Sequence, residues 1–427
     1  MIVIMKIYHQ NVYVFTCISA LLYALSLIFI DTLWFCAALF IVPLYVLWLQ
    51  KSPQLSYKVG FLWGFVTYSL QTSALLLFMY ERSVSFYGFI VPFVTLFCMS
   101  CSSAVWFFMM KTLYKVSLKI RIMLMVGCTI LFFMWMRSGV LCCLVGSLRG
   151  YPFSFPLIPF FYKSICIQNC VWNMGGYLTL VMLLFFQLLV AVKKYKICAV
   201  LLVVLGGSEF YSVQHQKKEQ SLVYCIAIPE VLAAGPYERA VQITELIIDA
   251  QFNYPKVHIF VLPESIFPFY EDDEHRLLLR MIADACCTEN YILCGIYRIV
   301  QGKRFNSSLV IYKGQIIYCY DKKLLVPFFE YVPPYWGDML FAINGVAFSS
   351  GGSELKEEWD LGPYGKVWPQ ICAELFWSDA QVSAKVIGFV NDSHFSCTYF
   401  PKIMRAYAYL KAAELKQCLV YSSYTKK

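Results

Sequence analysis

Long apolar runs with short charged breaks fill the first half of the chain, and from Ser221 they give way to short β-branched runs alternating with amphipathic stretches. A helix needs about 20 apolar residues to cross the roughly 30 Å hydrocarbon core of a bilayer. By that measure seven transmembrane helices are expected near 11–30, 32–49, 59–79, 86–110, 122–136, 165–192 and 197–212, the fifth and seventh being short. The second half has the alternation of an α/β domain. Strands are expected over Leu222–Ile228, Val257–Leu262, Tyr291–Tyr297, Ser308–Tyr312, Ile316–Tyr320, Val367–Cys372, Val386–Val390 and Cys418–Tyr421, with helices over Glu238–Gln251, Glu274–Cys287 and Pro401–Lys416. The expected architecture is a multi-span α-helical membrane domain of about seven helices over 1–212, followed by an α/β domain over 213–427.

Composition sharpens this division. The chain is 60% hydrophobic and only 14% charged, which is unusual for a soluble globular protein. Residues 1–205 hold two acids, Asp31 and Glu81, and fourteen basic residues that fall mostly between apolar runs. Short cytoplasmic loops collect Lys and Arg. With the amino terminus inside, the inner loops hold Lys6, Lys51, Lys58, Lys111, Lys115, Lys119, Arg121, Lys193, Lys194 and Lys196, and the outer loops only Arg82, Arg137, Arg149 and Lys163. That asymmetry, with an odd number of spans, places the α/β domain on the outer, periplasmic side of the membrane. The first span is too long for a typical signal-peptide core and is read as an anchor.

The net charge of +9 resides largely in these loops, and the second half shows no basic stripe interleaved with stacking aromatics, so nucleic-acid binding is not expected. Ten of the 18 cysteines lie in the apolar half, where Cys behaves as a small buried hydrophobe. Cys98 and Cys101 form a CxxC inside an expected span without a second pair, so no metal is implied, and no cofactor either.

Three segments in the second half place a polar residue directly after an apolar strand-like run, where α/β sheets usually carry their sites. In Val261-Leu262-Pro263-Glu264-Ser265, the carboxylate is placed to act as a desolvated general base, or else to form a structural ion pair. In the stretch from Tyr320 to Pro333, Lys322 can offer positive charge to a developing oxyanion and Glu330 can return to orient it; the alternative is a solvated cluster of Asp321, Lys322 and Lys323. In Gln370-Ile371-Cys372-Ala373-Glu374, the thiol is a nucleophile if a neighbouring group favours its thiolate, and otherwise an inert buried Cys.

Glu264, Lys322 and Cys372, in this order and spacing, resemble the triad of the nitrilase, or carbon-nitrogen hydrolase, superfamily. Leu325-Val326-Pro327-Phe328 with Glu330-Tyr331-Val332-Pro333 is similar to the lysine-loop signature of the apolipoprotein N-acyltransferase family, and Asn391-Asp392 with Phe395 resembles that family's segment after the next strand. The resemblance implies a nitrilase-like αββα sandwich, with Glu264 as general base, Lys322 as oxyanion-stabilising lysine, Cys372 as acylated nucleophile, and Glu330 and Glu374 as supporting acids. It also implies transfer of an acyl chain from a phospholipid, through a cysteine thioester, to the α-amine of the diacylglyceryl-modified N-terminal cysteine of an apolipoprotein, with the bilayer as the setting.

The sequence departs from the family at Ala373, where Tyr is usual, at Phe329 (Gly) and at His394 (Trp). The resemblance further implies sandwich strands and a final span beyond Lys427, so the sandwich domain is expected to be shortened at its carboxyl end. Two other readings stay open: a membrane-tethered nitrilase-type amidase, and a truncated, inactive membrane protein.

Overall fold

In a computed structural model the described residues are 12–49, 56–81, 86–138, 155–159, 176–191, 223–229, 235–267, 289–326, 348–351, 358–377, 385–395 and 398–424, with 168, 171, 280, 282–284, 330 and 331. By contact the chain forms two units, one of Met1–Tyr211 with Cys397–Glu414, the other of Ser212–Ser396 with Leu415–Lys427.

The first unit is helical, with α1 (Val12–Ile28), α2 (Val42–Leu49), α3 (Tyr57–Glu81), α4 (Phe86–Thr112), α5 (Leu118–Ser138) and α6 (Gly176–Ala191). The stretch expected to span over 32–49 is not one helix, because a 3-10 turn at Trp34–Ala38 and a further turn precede α2. Pro43 stands in the first turn of α2, the place where a missing N–H costs nothing. Gln187 of α6 donates through Nε2 to the Ala37 carbonyl at 2.8 Å, in the 3-10 turn. The expected seventh span, 197–212, and most of the expected helix Glu274–Cys287 lie outside the described residues. Among the described residues no helix is long and apolar enough to cross a membrane.

α3 and α4 approach closely because two glycines one turn apart on α3 leave room for Phe107 and Ser103 of α4. A Cβ on Gly60 would come within 2.6 Å of Phe107 Cβ, and one on Gly64 within 2.7 Å of Ser103 Oγ. Polar side chains share the apolar interior of this unit, and large apolar ones face outward. Thr16, Ser19, Thr67, Ser100, Ser103, Thr129 and Gln187 are buried, while Phe97, Val105, Phe108, Met123 and Leu131 are exposed. Thr16, Ser100, Ser103 and Thr129 each return a hydroxyl to the carbonyl four residues back, which satisfies a polar group without water. The last helix of this unit, α9 (Phe400–Glu414), is tied to it by Tyr399 Oη, which donates to the Leu70 and Gln71 carbonyls, and by a Lys402–Asp31 ion pair.

The second unit holds two sheets. Sheet 1 has the order β1 (Val223–Cys225), β2 (Ile259–Val261), β3 (Tyr291–Val300), β4 (Lys303–Tyr312), β5 (Gln315–Asp321), the first three parallel and the rest antiparallel. Sheet 2 has the order β6 (Trp359–Asp360), β7 (Lys366–Ile371), β8 (Lys385–Val390), β9 (Leu419–Ser423), with β7, β8 and β9 parallel. The strand β9 forms where the pattern of Cys418–Tyr421 predicts one. Tight two-residue turns close both hairpins of sheet 1, and their positive φ angles at Gln301 and Gly302, then Lys313 and Gly314, match the twist of the flanking strands.

Side-chain alternation sorts sheet 1 into two faces. Ile292, Cys294 and Ile296 turn outward, with Phe260 and Leu262, onto Ala240, Ile243, Ile247 and Ala250 of α7 (Pro236–Asn253). Pro236 starts that helix and Glu238 favours its positive end. Tyr291 and Leu293 turn inward, with Ile259 and Val261, onto Val367, Ile371, Ile387 and Phe389 of sheet 2. The unit is thus an α/β sandwich whose core lies between the sheets.

Candidate active site

β2 and β5 run the same way, so Glu264, three residues past β2, and Lys322, one past β5, emerge at the same edge of sheet 1. β7 and β8 do the same for sheet 2, delivering Cys372 and Asn391 one residue past their ends. Cys372 and Ser265 both adopt left-handed backbone, at φ 47° and 58°, so each segment turns sharply as it leaves its strand. The two edges meet, since the Asn391 backbone N–H donates to Glu264 Oε2 at 2.7 Å.

Lys322 is at the centre and only 1% exposed. Its Nζ lies 2.8 Å from Glu330 Oε1 and 3.6 Å from Glu264 Oε1. Asp321 beside it is equally buried, paired through both carboxylate oxygens with Arg298 and accepting from Ser307 Oγ at 2.6 Å. Asp321 and Lys322 are therefore not a solvated cluster; Lys323 Nζ sits 5.9 Å over the Tyr320 ring. Glu330 Oε2 accepts from the Val326 N–H at 2.7 Å, which closes the lysine loop on itself. Glu374, at the start of the short helix α8 (Glu374–Trp377), joins the loop to the Cys372 strand. Its Oε1 accepts from Lys323 N and Tyr320 Oη, its Oε2 from Ile371 N, at 2.7 to 2.9 Å.

Burial sets the proton affinities. It raises the Glu264 carboxyl above the usual carboxylate range, with Glu330 adding to the rise, while Lys322, Asn306 and Asn391 oppose without cancelling it. Burial, reinforced by the charge of Glu264, also holds the Cys372 thiol well above its ordinary value despite Lys322. For Lys322, burial disfavours the charge, but Glu330 and Glu264 outweigh it, and the ammonium is held more firmly than in water. Burial raises Glu374 too, against its backbone donors. The thiol is thus protonated at rest and needs a base at the moment of attack.

Two residues escape the sequence pattern. Asn306, inside β4, donates from Nδ2 to Glu264 Oε1 at 2.7 Å and to Glu330 Oε1 at 2.9 Å. Gly295, inside β3, leaves room for the Glu264 backbone, since a Cβ there would lie 2.5 Å from Glu264 Cα. Glycine within a strand and a buried Asn-Ser-Ser run within another are signals that could have found them. Ala373 is buried; Phe329 and the His394 side chain lie outside the described residues. Among the described residues no group of three or more His, Cys, Asp or Glu is disposed to hold a metal ion.

Comparison with known proteins places the sequence among relatives of one kind. It is 30% identical over 195 residues to an apolipoprotein N-acyltransferase of Allorhizobium ampelinum, covering 42% of this chain and 36% of that one. It is 32% identical over 163 residues to the enzyme so named in Rhizobium leguminosarum bv. trifolii, covering 34% and 30%. The chain spans about a third of the length of these curated relatives. No family model matches. Among solved structures, a carbon-nitrogen hydrolase from Helicobacter pylori has a TM-score of 0.30 at 14% identity, covering 40% of this chain and 61% of that one. Saccharomyces cerevisiae Nit3, a nitrilase-superfamily member, has a TM-score of 0.35 at 15% identity, covering 47% and 75%. At those scores the structural likeness carries no weight here, and the sequence comparisons stand alone: over roughly two fifths of its length, this chain is similar to apolipoprotein N-acyltransferases, the family its short motifs resemble.

Proposed function

We propose that the protein is a membrane N-acyltransferase that moves a fatty acyl chain from a phospholipid to the α-amine of a diacylglyceryl-modified N-terminal cysteine, through a thioester on Cys372. The observation that carries this reading is a fully buried ammonium, Lys322, held between two carboxylates beside a half-buried thiol. A purely structural role is poor company for that group, because a buried ion cluster costs more in desolvation than an apolar core of the same volume.

The steps follow from the proton affinities. Glu264 takes the thiol proton as Cys372 Sγ attacks the ester carbonyl of the phospholipid, since the thiol is not ionised beforehand. Lys322 faces the oxyanion that develops; it cannot shed its proton to Glu264 while Glu330 holds it at 2.8 Å. Collapse breaks the ester bond, Glu264 returns its proton to the departing lysophospholipid oxygen, and the acyl chain remains on sulfur. The acceptor amine then attacks the thioester, Glu264 takes the amine proton, and the thiolate leaves and is reprotonated. Glu330 and Glu374 support the lysine loop from either side.

The helical unit supports a lipid setting. The buried hydroxyls of Thr16, Ser100, Ser103 and Thr129 bond to their own helices, and large apolar side chains such as Phe97, Phe108 and Met123 face outward, the arrangement expected of a surface solvated by hydrocarbon. With the charge asymmetry of the loops, this favours an inner-membrane location with the sandwich on the periplasmic side. An amidase acting on a soluble amide has no use for such a surface.

Purified protein mixed with phospholipid vesicles, with no acceptor added, should gain the mass of one acyl chain. Neutral hydroxylamine should remove it, and Cys372→Ala should not acquire it. A folded sample with a free Cys372 thiol that takes up no acyl group from phospholipid, yet hydrolyses simple amides, would establish the amidase instead.

A further inference from the structure

Asn306 lies on β4, whose direction opposes that of the strands carrying Glu264 and Lys322, and it enters the site from the side. Its side chain is 2% exposed. The orientation of its amide is fixed by chemistry: two carboxylate oxygens face it, at 2.7 and 2.9 Å, and only an NH2 group can donate to both. The other end of the amide, Oδ1, is buried with no hydrogen-bond partner among the described residues. A buried acceptor left unpaired is costly, and here the two charge-assisted donations offset that cost.

The same two oxygens, Glu264 Oε1 and Glu330 Oε1, are also the ones nearest Lys322 Nζ. Lys322 is much closer to Glu330, at 2.8 Å, than to Glu264, at 3.6 Å. Asn306 is closer to Glu264. The two like-charged carboxylates are therefore kept in register by one cation and one neutral donor, each favouring a different partner. Without the neutral donor, both oxygens would compete for Lys322, and Glu264 would be drawn towards the lysine and away from the position set by Asn391.

We infer that Asn306 is a positioning residue that divides the labour of the two carboxylates, holding Glu264 free of Lys322 and available as a base while leaving Glu330 as the lysine's partner. The inference rests on the proposed roles of Glu264 and Cys372 and goes beyond them by naming what keeps the two carboxylates from being interchangeable. The Asn306 hydrogen bond also favours the ionised form of Glu264, against the effects of burial and of Glu330. The other groups facing this cluster are Cys372, Tyr297, Tyr424 and Asp392.

The test is alkylation of Cys372 by iodoacetamide in the full-length protein, followed by the mass of the peptide that contains it, as a function of pH. Asn306→Leu keeps the branched outline of the side chain, though it is bulkier, and removes the donor; Asn306→Ser keeps one donor. The pH at which alkylation begins to rise should shift in Asn306→Leu and shift less in Asn306→Ser, with acyl loading in the Leu variant slowed on the order of 100-fold, the loss expected when a base is misplaced by an ångström. A merely structural role would lower stability and leave that pH where it is. A folded Asn306→Leu protein with the wild-type profile overturns the inference. If that variant does not fold, an Asn306→Ser protein with the wild-type profile overturns it equally. Alkylation needs no lipid, so a shifted profile in a protein that never loads an acyl group would support the role of Asn306 and refute acyl transfer.

Discussion

Replacing Gly295 by Ala should damage the site far more than the fold. Gly295 is in the middle of β3, and its backbone is not in the left-handed region, so Ala meets no conformational penalty there. Space is the constraint. The added Cβ would lie 2.5 Å from Glu264 Cα and 3.0 Å from both Pro263 O and Ser265 N, whereas ordinary contact starts at 3.4 Å, so the Glu264 segment must retreat by about 0.9 Å, the difference between 3.4 and 2.5. Retreat by hinging is blocked, since Gly295 N donates to Pro263 O and Ile266 N donates to Gly295 O on either side of Glu264. The displacement therefore reaches the carboxylate. Overpacking of this kind costs about 1–3 kcal/mol of stability, while an ångström of misplacement costs on the order of 100-fold in rate. The assay is the rate of acyl loading on Cys372 from phospholipid, beside a thermal unfolding curve. Gly302→Ala is the control: its Cβ would meet nothing within 4 Å, but its φ of +72° penalises a side chain, so it should lose about 1 kcal/mol of stability and no loading rate. A Gly295→Ala protein that loads at the wild-type rate would show that Glu264 does not need its observed position.

The two adjacent lysines should separate cleanly: Lys322→Ala should lose about two to three orders of magnitude in loading rate, and Lys323→Ala, whose charge lies over Tyr320, only a few-fold; equal mild losses would remove Lys322 from the chemistry. Loading should also be slow in acid and rise with pH through a point above the ordinary carboxylate range, because burial raises the Glu264 carboxyl and only its ionised form can accept the thiol proton. A rate that is flat across that range, in a protein shown to be folded, would mean that Glu264 is not the base.

The parts of the site that were readable in advance share one local signature, an apolar strand followed at once by a polar residue. Glu264, Lys322 and Cys372 all carry it, and the structure brings Glu264 and Lys322 within 3.6 Å. Asn306 does not, because it enters from the interior of a strand running the opposite way, and its partners are 42 and 24 residues distant in sequence. Most strands are legible from β-branched runs, but residues 303–307 at the start of β4 and the two-residue β6 are not: Lys303 and Arg304 lie on an exposed strand end, and Asn306 and Ser307 are polar though buried. Among the helices, hydrophobicity alone could not distinguish a continuous span from the broken stretch around Trp34–Leu49, since the break depends on a turn and on the distant Gln187 rather than on polarity. Nor could it assign α9, whose amphipathic face suits either unit and whose anchors, Asp31, Leu70 and Gln71, lie more than 300 residues earlier.

That placement of α9 bears on how the protein is made. β8 and β9 are hydrogen-bonded neighbours in the sandwich, yet the helix between them in the chain belongs by contact to the helical unit. The ribosome finishes Tyr211 long before it reaches Glu414, and at the usual 5–20 residues per second the intervening 203 residues, 414 minus 211, take about 10–40 s. During that interval the helical unit lacks α9, and the sandwich still lacks β9 of sheet 2. The helical unit therefore takes in Cys397–Glu414 only after most of the sandwich has been made, and β9 joins sheet 2 directly afterwards.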